Sequence, residues 1–110
     1  MNSNLKLIKD YFYFFSKKNI NELKNIFHKN IILKDWQGTY KGLSAIIKKN
    51  NDLFCNSKKI KIKIINIIKK NNLFCIQLKI FINTESKPIE VIDLITINNN
   101  KIKKIEAYKG

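Results

Sequence analysis

The chain has 110 residues, 45% of them hydrophobic, and a formal charge of +14. That length suits a single domain over residues 1–110 with one real core, and no apolar run approaches the ~18 residues that mark a membrane span. All 22 basic residues are lysine; with no arginine fork, and with the lysines scattered along every segment, specific nucleic-acid recognition is not expected.

Lysine, isoleucine and asparagine make up more than half of the chain, as A·T-rich codons would produce, so the charge reads as a solvated lysine coat. The opening MNSNLKLIKDYFYFF lacks a small-residue cleavage site and is interrupted by Lys9 and Asp10, so it reads as a helix rather than an export signal. Residues 4–17 place Leu5, Ile8, Phe12 and Phe15 at helical spacing, widened by Leu7, Tyr11 and Phe14. Tyr11 falls on the inward stripe and Tyr13 on the lysine side. A second helix starts at NINEL, with Asn19 and Glu22 as a capping pair, and runs to about His28. IILKD, residues 31–35, reads as a short strand, WQGTYKG as a turn-rich loop, and 43–54 as a third helix.

From residue 59 the apolar period changes from near 3.6 to 2. KIKIKIINII alternates at first, and NLFCIQLKIFI puts Phe74, Ile76, Leu78, Ile80 and Ile82 on one face. KKNN, NTESKP and NNNK are turn signals. KIKKIEAY breaks its alternation between Ile102 and Ile105, which predicts a bulge. Three helices followed by an antiparallel meander predict an α+β domain, with the helices on one face of a strongly curved antiparallel sheet.

One residue is out of place. In IEVIDLITI, the row Ile89, Val91, Asp93, Ile95, Ile97 holds a carboxylate in an apolar face. An ionised carboxylate there is costly, so Asp93 must shift its pKa or find partners. Tyr11 or a backbone amide could satisfy it without any chemistry, and Asp35 before WQG could simply cap a turn. Cys55 and Cys75 lack metal-ligand spacing and His28 stands alone, so no metal is expected. The thiols read as reduced, in a cytoplasmic protein.

The order of elements, the pattern Asp35, Gly38, Lys41, Gly42, Ile46, and the ending IEAYKG resemble the nuclear transport factor 2-like (SnoaL-like) superfamily. That resemblance implies a cone of three N-terminal helices against a bent sheet with a pocket at its mouth. Within it, three positions are similar to the steroid Δ-isomerase branch: Tyr11 midway along the first helix, Asp35 ending the first strand, and Asp93 inside VIDLI. The resemblance implies that Asp35 is the general base, while Tyr11 and a protonated Asp93 donate to an enolate oxygen. It further implies a pocket lined by Phe15, Trp36, Asn50, Phe54, Ile95 and Ala107, with no cofactor. The chain departs from that branch at Trp36, where proline is usual, and at Asn50, where a tyrosine supports the catalytic one. Lys49 and Lys109 stand where pocket apolar residues would fall, so a ligand smaller or more polar than a steroid is expected.

Other readings on the same scaffold are a polyketide-cyclase-like enzyme, which needs only one acid/base, and a non-catalytic ligand-binding or dimerisation module. An epoxide-hydrolase site needs an arginine, and a dehydratase site a second histidine; neither residue exists here. Ile65, Cys75, Phe81, Ile92 and Leu94 make the outer sheet face apolar, and members of this superfamily commonly pair there. A homodimer through that face is expected, with a small molecule as the other partner and no membrane.

Overall fold

A computed structural model describes residues 3–84 and 87–110. Met1 and Asn2 of the opening segment, and Glu85 and Ser86 of the expected NTESKP turn, lie outside the described residues. The apolar stripe of the opening segment forms α1 (Ser3–Ser16) and buries Ile8, Tyr11 and Phe12, with Tyr13 turned outward. Lys18, at φ 57°, ends it. The Asn19 N–H returns to the Phe14 carbonyl at 2.9 Å and the Lys18 N–H to Phe15 at 3.1 Å, which satisfies two carbonyls of the last turn. The Asn19 side chain then caps α2 (Ile20–Ile26), accepting from the Glu22 N–H at 3.2 Å.

Here the chain departs from expectation. α2 ends at Ile26, and β1 (Phe27–Asp35) follows without a loop, because Phe27 already pairs with Ile102 of the last strand. His28 therefore lies on a strand, where its Nδ1 accepts from the Asn30 N–H. WQGTYKG is no loop. Trp36 and Gln37 form a two-residue turn into β2 (Gly38–Lys41), which pairs antiparallel with β1 through Asp35 and Gly38. Gly42, at φ 90°, opens α3 (Leu43–Cys55), which buries Ile46, Asn50 and Phe54 one turn apart. The third helix thus follows two strands instead of standing with the other two at the N-terminus.

β3 (Ile60–Lys70), β4 (Leu73–Ile82), β5 (Ile89–Asn98) and β6 (Lys101–Lys109) form the meander. Asn99 and Asn100, both at positive φ, make the two-residue turn into β6, where asparagine tolerates a conformation most residues avoid. The sheet order is β2-β1-β6-β5-β4-β3. The sheet is mixed rather than antiparallel, because β1 runs parallel to β6. This follows from the helix between β2 and β3, which carries the chain to the far edge before the meander returns.

The expected bulge in β6 is present: Thr96 faces Lys104 and Ile97 faces Ile102, leaving Lys103 as the extra residue. A second, at Ile65, explains why the alternation of β3 fails after Ile64. Bulges bend and twist a strand, and the helices fill the inner face, where Phe74, Ile76, Leu78, Ile95, Ile102 and Ile105 are buried. No helix among the described residues is long and apolar enough to cross a membrane.

Candidate functional site

The register of the sheet brings the two aspartates into one row. Asp93 on β5 is opposite Ala107 of β6 and, on its other side, Ile76 of β4. On the far side of β6, Lys34 is level with Glu106, so Asp35, the next residue, falls level with Ala107. Leu33, Ile105 and Asp93 are all buried, which places this row on the inner face. Two strand spacings of ~4.8 Å put the two backbones about 10 Å apart.

Asp93 is 6% exposed. Burial pushes its pKa up from 3.8 to about 7, because an apolar surround penalises the charged form. Tyr11 stands close enough to respond to it: burial first, then the charge of Asp93, holds the phenol well above its ordinary value. The Tyr11 ring packs on Phe12, Phe15 and Phe27 at 4.8, 5.9 and 5.8 Å between centroids. Phe15 in turn meets Phe54 edge-on at 5.0 Å. Asn50 is buried one turn before Phe54, and Ile95 is buried two residues beyond Asp93.

Asp35 is held differently. Its Oδ1 accepts from the Gln37 N–H at 2.8 Å, and its Oδ2 lies 3.2 Å from Lys49 Nζ. The two side chains are only 10% and 23% exposed, so this is a part-buried ion pair. Lys49 also donates to Gln37 Oε1 at 2.7 Å and lies 4.5 Å from the centre of the Tyr40 ring. Trp36, by contrast, is 48% exposed and carries Lys109 Nζ 5.7 Å from its ring centre. Both stand at the rim rather than inside the cone.

The structure therefore gathers Tyr11, Phe15, Phe54 and Asp93 inside, sets Ala107 between the aspartates, and leaves Asp35 at the mouth with Lys49. Gln37 and Tyr40 are members of the mouth that the sequence did not disclose, since their segment reads there as a loop. Two surface depressions, of about 210 and 540 Å3, lie elsewhere. The first touches Ile65, Lys79 and Glu90 on the outer sheet, and the second Lys24, Ile47 and Lys48 between α2 and α3; neither is lined by Tyr11, Asp35 or Asp93. Neither depression is lined by a buried ionisable group. Among the described residues no three His, Cys, Asp or Glu side chains gather to hold a metal ion.

A family model described as a SnoaL-like domain matches residues 8–105. No curated protein matches the chain. Among solved structures, a candidate ketosteroid isomerase from Kribbella flavida superposes with a TM-score of 0.86 at 7% identity, covering 100% of this chain and 79% of that one. A candidate polyketide cyclase from Sinorhizobium meliloti gives 0.83 at 15% identity, covering 93% of each. SalBIII, an epoxide hydrolase/cyclase-like enzyme in pyran ring formation, gives 0.84 at 13%, covering 97% and 90%. At these identities the likeness is one of fold alone.

Proposed function

The chain belongs to the SnoaL-like domain family, and from that premise we propose that it moves a proton next to a carbonyl of a small molecule without a cofactor. The solved structures of similar fold include isomerase and cyclase candidates, which supports this class of chemistry. The observation that carries the reading is Asp93: an acid with a pKa near 7, buried beside Tyr11 and one strand removed from a second aspartate. A neutral carboxylic acid in such a place can donate a hydrogen bond where oxygen charge develops.

The step balances without further reagents. The Asp35 carboxylate takes a proton from the carbon next to the carbonyl, and the C–H electron pair becomes the enolate double bond. Negative charge moves to the oxygen, where the Tyr11 hydroxyl and the Asp93 carboxyl donate. Return of the proton from Asp35 to a different carbon completes an isomerisation. A placed base contributes typically ~10²–10⁴-fold, and one donor to the developing oxyanion ~10²–10³-fold.

Asp35→Asn should remove most turnover of an enolisable ketone and leave binding largely intact. Activity of the wild type should fall as pH rises through about 7, where Asp93 loses its proton. Full turnover in Asp35→Asn would exclude this chemistry. A non-catalytic ligand-binding module is the second reading, favoured by one observation: Asp35 is already engaged by Lys49 and by the Gln37 amide.

A further inference from the structure

We propose that Lys49 is the anchor for an anionic group of the ligand, and that an anionic ligand frees Asp35 by taking over its lysine. This deepens the proton-transfer reading and rests on it only for what the freed Asp35 then does. The substrate class is a small carboxylate-bearing carbonyl compound.

The geometry points to Lys49 rather than to the lysine coat at large. Its ammonium is drawn into the mouth by three oxygens: Asp35 Oδ2 at 3.2 Å, Gln37 Oε1 at 2.7 Å and the Tyr40 hydroxyl at 3.5 Å. The other lysine–acid pairs among the described residues are more open: the lysines of the Lys6–Asp10, Lys48–Asp52 and Lys104–Glu106 pairs are 77%, 80% and 43% exposed, against 23% for Lys49. The Tyr40 ring beneath it shields one side from water.

With Lys49 at 3.2 Å from Oδ2 and the Gln37 N–H on Oδ1, both oxygens of Asp35 are engaged, and a carbon acid has to compete with the lysine for one of them. A neutral ketone offers Lys49 no better partner. A carboxylate offers an equivalent one, and a lysine on a flexible stem exchanges partners with little movement. The Gln37 amide would hold Asp35 in place during the exchange, since that hydrogen bond does not involve the lysine. The lysine would thus select the ligand by charge and, in the same motion, uncover the base.

The test compares para-hydroxyphenylacetate with its amide, both of which carry a phenol as an enolate mimic, by NMR titration of backbone amides. The wild type should bind the carboxylate about twofold to fivefold more tightly than the amide, the range expected for one ion pair near the surface. Lys49→Gln should erase the preference, Lys49→Arg should keep it, and Lys109→Gln should leave it in place. Asp35→Asn should widen it, because the competing carboxylate is gone. Equal binding of the two probes, no binding of either at millimolar concentration, or a preference that survives Lys49→Gln would overturn the proposal. Its failure is separable from that of the preceding reading. Turnover of neutral ketones without a charge preference removes only this inference, and a charge preference without turnover removes only the catalysis.

Discussion

Replacing Asp93 with asparagine should stabilise the protein at neutral and alkaline pH and leave it nearly unchanged in acid. The residue is 6% exposed, and burial moves its titration from 3.8 to about 7. Between those values the folded protein keeps a proton that the unfolded chain has given up, so stability falls as pH rises. The favourable contribution is complete below pH 3.8 and lost by the time pH passes about 7. An interval of about three pH units at ~1.4 kcal/mol each gives about 4 kcal/mol. Against a typical domain stability of ~5–15 kcal/mol, that is large enough to measure easily. Asparagine keeps the shape of the side chain and carries no charge, so the variant should lack this slope. Urea unfolding of both proteins at intervals from about pH 4 to about pH 8 gives the comparison. The other carboxylates titrate in both and cancel in the difference. The wild type should lose ground to the variant steadily up to about pH 7 and hold level above it. Parallel curves would mean that Asp93 ionises as freely folded as unfolded, and would remove the physical basis of its role.

A homodimer is expected through the outer sheet face, where Ile68 is 66% exposed and pairs with Cys75, itself opposite Leu94. Leu94→Lys should give monomers in sedimentation, and a wild type that is monomeric at tens of micromolar would contradict the interface. Ile95 has no exposed surface and sits next to the aspartate row, so Ile95→Ala should cost ~2–5 kcal/mol in a denaturant melt. Binding to duplex DNA should be weak and unselective, and should collapse by ~0.2 M salt; a sequence-selective complex that survives there would count against the solvated reading of the lysines.

The period-2 rows of the meander were legible because each strand has one buried face, and the burial of Phe74, Ile76 and Leu78 follows that pattern. Asp93 was legible for the same reason, as a break in a row. The hairpin of β1 and β2 was not. Gly38–Lys41 has no buried residue and so leaves no apolar signature, and its pairing is set by the Asp35 turn and the edge of the sheet. The parallel pairing of β1 with β6 joins segments far apart in the chain, which no local pattern records. Lys49 shows the same limit at the site. Its helical position is readable, but its contact with Asp35 depends on where α3 docks against the β1–β2 turn.

Carbon-detected NMR titration of the Asp93 carboxyl, alone and with a bound phenol, tests the proposed oxyanion site most directly. The free protein should show a midpoint near 7, and the phenol, which accepts a hydrogen bond only from the protonated acid, should move it higher. A midpoint below its ordinary 3.8 in both states would make Asp93 a structural carboxylate and leave the enolate without its donor.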